Sequence, residues 1–288
     1  MKFEVNKDLF PFGNHFVTLA DGSNIHYVDE GAGDVLLMFH GNPSWSFLYR
    51  KMISALKPHF RCIAFDYPGF GLSEAPAGYD FLPRTHSTVA EEFITTLGLE
   101  QVTVICQGWG GPIGLGWAGR NPDKIKAAVI GNTWAWPLAG EFRMEAFSWF
   151  MGGPIGRWMA RSFNGVWRYF MKAGFVNPVS EEELAMYRAP FEDRRNRIQT
   201  AIFPRQLVKS REFEREVEKG LAKLDHIPVL FCWGTEDFAF REAERERFQR
   251  IFKNHETVLL HASHFWQDDE SEKACQALLN WYRTQFPQ

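Results

Sequence analysis

Cysteine is scarce in this 288-residue chain. Cys62, Cys106, Cys232 and Cys275 lie far apart, with no CxxC pair and no Cys/His cluster. That excludes a disulfide framework and leaves no recognisable ligand set for a metal. Buried, reduced thiols are expected, and neither a metal nor any other cofactor. Neither sign of charge is in excess: the formal net charge is −3 with both signs dispersed. Without a basic stripe to track a phosphate backbone, nucleic acid is not expected as a partner. No apolar run approaches a membrane span, and the opening residues Met-Lys-Phe-Glu-Val-Asn-Lys-Asp hold no signal-type apolar core. The reading is a soluble, cytoplasmic protein with no membrane partner. Repeats and low-complexity tracts are missing too. What is plentiful is aromatic side chain, 27 Phe and 11 Trp, much of it in the middle of the chain.

A chain this long buries roughly 75% of the surface its unfolded form exposes, so it needs no staples. Residues 16–18 and 25–29 alternate around Asp21-Gly22, a hairpin signal. Apolar strand runs at 35–40, 61–66, 102–106 and 125–132 then take turns with helical periodicities at 45–56, 86–97 and 110–121. Such alternation builds a parallel sheet with helices on both faces. From 133 to 226 no apolar strand run appears, only helical stretches rich in Trp, Phe and Met at 142–151, 156–171, 181–187, 195–199 and 212–224. The alternation returns with strands at 229–233 and 256–261 and helices at 241–252 and 271–284. The sequence thus predicts an α/β core of residues 1–132 and 227–288, interrupted by a helical cap of residues 133–226. An insertion there lies over the carboxyl ends of the strands, where open α/β sheets place ligands. A few of Trp134, Trp136, Phe147, Trp149, Phe150, Trp158, Trp167 and Phe170 are then expected to line an apolar pocket, the rest packing helix against helix.

Four loops that follow strands converge on that edge: 40–43, 107–111, 234–238 and 263–267. The second lies in Gln101 to Leu115, Q-V-T-V-I-C-Q-G-W-G-G-P-I-G-L, which has the outline of a nucleophile elbow. A sharp strand-to-helix turn carries small residues around a central position, with backbone N–H groups at the helix start. The central residue is Gly108, which offers no attacking atom. Either it replaces a nucleophile, or it is a plain turn glycine with positive φ. His264 in H-A-S-H-F-W-Q is the candidate base. Asp237 in W-G-T-E-D is the candidate carboxylate that fixes its tautomer and stabilises the imidazolium, with Glu236 the rival one residue earlier. Nucleophile, acid, base is the chain order of α/β hydrolases. The backbone N–H groups of Trp109 and Asn42 would form an oxyanion hole. The Trp109 indole, a donor only, would crowd an acyl pocket but suits a halide in an apolar cavity, with the Asn42 carboxamide as second donor. The plainer readings are a core tryptophan on the first helical turn and a turn asparagine before proline.

Five stretches also carry a resemblance: His40-Gly-Asn-Pro-Ser-Trp-Ser-Phe-Leu-Tyr-Arg50, Asp66-Tyr-Pro-Gly-Phe-Gly-Leu-Ser73, Gln107-Gly-Trp-Gly-Gly111, Asn132-Thr-Trp-Ala-Trp-Pro137 and His264-Phe-Trp-Gln-Asp268. They resemble the haloalkane dehalogenases, over nearly the whole core and the start of the cap. The resemblance implies small haloalkanes and halide ion as ligands, and a displacement: an elbow Asp attacks the halogen-bearing carbon and the halide leaves toward Trp and Asn. Water activated by His then opens the alkyl-enzyme ester, releasing the alcohol. Carried onto this chain, His264 is the base, Asp237 its acid, and Trp109 and Asn42 the halide donors. Asn132, at the family's other place for the acid, is not acidic. Gly108 is the departure. The expectation is a chain that folds and binds but turns over at or near background, and an engineered exchange accounts for an otherwise complete set better than natural decay. An epoxide hydrolase would share the fold and an elbow Asp but needs cap tyrosines, for which Tyr169 and Tyr187 stand in no known pattern. A non-catalytic receptor for a small apolar ligand would also account for Gly108. Exposed cap aromatics make self-association an expectation as well.

Overall fold

Runs such as Val-Leu-Leu-Met-Phe and Val-Thr-Val-Ile-Cys have no polar face to offer water, so they are stable with a layer on each side. That is where they lie in the computed structural model, which describes residues 3–287; Met1 and Lys2 of the N-terminal stretch read above lie outside the described residues. Among the described residues eight strands form one sheet in the order β1-β2-β4-β3-β5-β6-β7-β8. They are β1 His15–Thr18, β2 Asn24–Glu30, β3 Val35–Phe39, β4 Arg61–Phe65, β5 Val102–Gly108, β6 Ile125–Thr133, β7 Val229–Gly234 and β8 His255–Leu260. β2 is antiparallel to β1 and β4, and every pairing from β4 through β8 is parallel. The hairpin and the parallel sheet read from the sequence both form. Central β5 is buried along its whole length, whereas in β8 at the edge only Leu260 is buried.

Helices α1 Arg50–Leu56, α2 Pro83–Thr96 and α3 Gly110–Arg120 follow the first parallel strands. Where α3 leaves β5 the backbones touch. A Cβ on Gly110 would run into the Phe39 carbonyl, and one on Gly111 into the Thr133 hydroxyl, so only glycine lets the helix begin this close to the sheet. The turn Asp66 to Ser73 is likewise structural: Asp66 accepts the Ser46 and Leu72 backbone N–H groups and pairs with His26 of β2 at 2.7 Å.

Between β6 and β7 lie α4 Phe142–Gly152, α5 Pro154–Phe163, α6 Gly165–Ala173, α7 Glu181–Arg188, α8 Ile198–Lys209 and α9 Arg211–Leu221. Two expectations are corrected here. The helix expected over 156–171 is two helices, broken at Asn164 with φ +55, a left-handed conformation that asparagine tolerates better than most residues. The short helix expected at 195–199 is the lead into α8, which runs on through Pro204. After β7 come α10 Glu242–Ile251, α11 Trp266–Asp269 and α12 Ser271–Gln285.

A buried charge cluster fastens this insertion to the core. Arg50 on α1 donates to Asp268 on α11 through both terminal nitrogens, at 2.7 and 3.1 Å, and pairs with Glu183 on α7. The Tyr187 hydroxyl of α7 donates to Asp268 at 2.7 Å. Burial alone would push the Asp268 carboxyl up; the Arg50 guanidinium holds it below the usual range. Removing one partner of a buried pair costs about 3–5 kcal/mol because the other charge is left uncompensated. Arg50→Leu is expected toward the lower end, since Lys51 also pairs with Asp268. Denaturant unfolding reads the cost, and a loss below about 1 kcal/mol, the value of an exposed pair, would refute the role.

Candidate active site

Each candidate side chain belongs to the carboxyl end of a strand: Asn42 after β3, Gly108 as the last residue of β5, Asp237 after β7 and His264 after β8. Asn42, Gly108, Trp109 and His264 line one cavity of about 300 Å³ between the sheet edge and helices α4, α6 and α8. Asp237 stands behind His264. Its Oδ2 lies 2.9 Å from the imidazole Nδ1, and its Oδ1 accepts the Ala239 backbone N–H at 2.7 Å. An ionised carboxylate there assigns the proton to Nδ1 and leaves Nε2 as the free base. That nitrogen faces residue 108: a Cβ built on Gly108 would lie 3.1 Å from it. Gly108 itself has φ +53, so it is a left-handed turn glycine and also the residue opposite the imidazole. The two readings of it are compatible. Glu236, the rival acid, is exposed, with its carboxylate 4.0 Å from His261; only Asp237, at 3% exposure, is turned inward.

Neighbouring polar groups hold this arrangement. Gln107 donates its side-chain amide to the His264 carbonyl at 3.0 Å, tying the imidazole loop to β5. Thr133 donates to the Gly108 carbonyl at 2.5 Å. Asn132 clamps the loop that carries Asp237 at both ends: its amide donates to the carbonyls of Gly234 and Phe240, and its oxygen accepts the Gly234 N–H at 2.7 Å. The other buried imidazoles nearby are scaffold. Burial pushes His40 down to about 4 and His86 to about 3, and His40 is held between the Gly41 carbonyl and the Tyr67 N–H.

Trp109 sits edge-on to Trp134 at 4.7 Å and to Phe203 at 5.1 Å. Its indole N–H and the Asn42 carboxamide N–H groups make no hydrogen bond among the described residues, on a cavity both side chains line. Of the aromatics expected to line a pocket, Trp134, Phe147 and Phe170 do. Trp136 and Trp167 are buried elsewhere, and Trp149, Phe150 and Trp158 face outward. Pro204 and Leu207 on α8 complete the wall, and they were missed together with their helix.

Glu214 was missed as well. It is fully buried on α9, accepting the Trp134 indole N–H at 3.3 Å. Burial pushes its carboxyl up to about 8 from the ordinary 4.5. The unfolded chain then releases this proton first as pH rises, so the stability that Glu214 contributes at low pH is lost between about 4.5 and about 8. Glu214→Gln, which keeps the acceptor and cannot ionise, is expected to gain on the parent in melting temperature steadily across that window. A difference that stays constant with pH would show the carboxyl to be ordinary.

A central parallel sheet, an elbow turn after β5, and an acid and an imidazole on the loops after the last two strands define an α/β hydrolase. The chain belongs to that family, described as alpha/beta hydrolase fold, which it matches over residues 34–271. Its homologues within the family include haloalkane dehalogenases. Haloalkane dehalogenase 2 of Mycobacterium tuberculosis H37Rv is 37% identical over 280 residues, 96% of this chain and 97% of the relative. The crystal structure of an ancestral haloalkane dehalogenase, AncHLD2, superposes with a TM-score of 0.83 at 28% identity, over 93% of this chain and 97% of that one. A relative with another name is the cis-3-alkyl-4-alkyloxetan-2-one decarboxylase of Shewanella oneidensis, 35% identical over 242 residues, 81% of this chain and 76% of the relative.

Proposed function

We propose that this chain carries the halide-displacing site of a haloalkane dehalogenase, roofed by a cap of residues 133–226, with the nucleophile position held by Gly108. As it stands it binds small haloalkanes and halide and turns over at or near background. The observation that carries this reading is the imidazole: His264 keeps one nitrogen on Asp237 and aims the other at residue 108, an arrangement without use unless something at or beside that residue is to be attacked or deprotonated.

A carboxylate at 108 would project into the cavity beside His264. Its oxygen would form a bond to the halogen-bearing carbon as the carbon–halogen bond breaks, the electron pair leaving on the halide. The Trp109 indole and Asn42 carboxamide N–H groups, unpaired on the cavity wall, would receive that anion. His264 would then take a proton from water, whose oxygen adds to the ester carbonyl. The backbone N–H groups of Asn42 and Trp109 would meet the resulting oxyanion, and the alcohol leaves with the returned proton. Without the carboxylate the first bond cannot form, and water aimed at a saturated carbon by His264 alone is a poor substitute. The epoxide reading loses ground because Tyr187 is buried against Asp268 and only Tyr169 of that pair reaches the cavity. An otherwise complete set around one exchanged residue fits a working site altered at a single position. The test is halide release from a brominated alkane by this chain and by Gly108→Asp, side by side. A folded Gly108→Asp that is silent on brominated alkanes yet splits an oxetan-2-one would overturn the reading.

A further inference from the structure

The helical insertion presents an outer face that the proposed reaction does not use. On α4, Phe142 is 86% exposed and Trp149 76%; on α5, Ile155 is 68% exposed and Trp158 58%. Phe150 and Phe163 are also more exposed than buried, and the Phe163 ring packs on that of Trp158 at 5.0 Å. The two helices are consecutive, joined through Gly153. Six large apolar side chains left in water on two consecutive helices call for a use.

The charge of this segment is as distinctive as its apolarity. Residues 142–173 carry five basic side chains, Arg143, Arg157, Arg161, Arg168 and Lys172, against the single acid Glu145, in a chain whose net charge is −3. Arg157, Arg161, Arg168 and Lys172 form no ion pair among the described residues. Arg157 and Arg161 border a surface cleft that also takes in Trp158, Arg194 and Arg195.

We propose that this face docks the protein on an anionic lipid surface, the Trp, Phe and Ile side chains entering the headgroup layer and the arginines meeting lipid phosphates. Exposed tryptophans interleaved with basic residues on short helices are the composition of an interfacial contact, in which apolar burial and attraction to anionic lipid add together. Among the described residues no helix is long and apolar enough to cross a membrane, so the contact is peripheral; the absence of a span, which led the sequence reading to expect no membrane partner, does not bear on it. A second copy of the chain is the poorer occupant, because a two-fold pairing of this face would set the same unpaired arginines against one another. Arg143 and Tyr169, which line the cavity, both reach solvent.

Co-sedimentation of the full chain with vesicles tests this without any need for turnover. Vesicles of equal parts phosphatidylcholine and phosphatidylglycerol are expected to bind the chain at least about tenfold more tightly than phosphatidylcholine alone, with release at high salt. The double variants Trp149→Ser with Trp158→Ser, and Arg157→Glu with Arg161→Glu, should each weaken binding about tenfold or more while melting at the parent's temperature. Equal binding to both compositions, or full binding by either double variant, overturns the proposal. So does a chain that ignores both vesicles and forms a dimer that the tryptophan variant dissolves, which would assign the face to a second copy.

Discussion

Gly108→Asp is expected to convert background halide release into catalysis, with a gain on the order of 10³–10⁶-fold, the range by which removing a nucleophile cripples hydrolases of comparable design. His264 with its partner Asp237, and the unpaired Trp109 and Asn42 N–H groups, already stand around the position, so on the proposed reading the substitution adds only the attacking atom. It also carries a cost that can be read independently. Residue 108 has φ +53, and the new Cβ would come within 3.1 Å of His264 Nε2. The backbone penalty for a non-glycine residue there is about 1–2 kcal/mol, and the imidazole must yield by a few tenths of an ångström. The variant should therefore melt below the parent while working far faster, strain and function rising together. Halide release no greater than the parent's from a folded variant would end the displacement account. So would release without any alkyl-enzyme ester detectable by mass under single-turnover conditions.

In the Gly108→Asp background, His264→Gln separates the two halves of the reaction. Displacement of halide needs only the carboxylate, so a burst close to one halide per chain should survive. Opening of the ester needs a base for water, and its loss is expected to cut steady turnover by about 10²–10⁴-fold. The alkylated chain should then accumulate, heavier by the alkyl group. Sustained turnover in this double variant would mean that another group deprotonates the water. His40 is no such group, because burial and its two backbone partners keep it neutral and occupied.

The sheet was legible because runs such as those in β3 and β5 have no stable alternative to burial between two helical layers, and β-branched residues favour the extended chain. The four loops were legible as a set for the same reason: once the strands are placed in one parallel sheet, their carboxyl ends share an edge. What escaped depended on neighbours distant in sequence. The helical stretch read at 195–199 stops short of Pro204, a residue that removes a helical hydrogen bond, yet α8 runs through it, and with the missed part went two cavity-wall residues and Phe203 behind Trp109. Glu214 beside the stripe of Phe213, Val217 and Leu221 reads as the polar margin of an amphipathic helix; its burial comes from Trp134, 80 residues away. Asn132 could be seen only as not acidic. That it clamps the loop after β7 follows from backbone groups that no sequence pattern reveals.

The insertion is attached unequally at its two sides. At α7 the Arg50, Asp268 and Glu183 cluster is buried and interlocked. At α4, across the cavity mouth, exposed Arg143 reaches only the carbonyls of Phe238 and Ala239, at 3.1 and 2.8 Å. Two hydrogen bonds in contact with water trade readily for solvent, whereas a buried ionic cluster does not. The α4 side of the insertion is therefore expected to loosen before the α7 side.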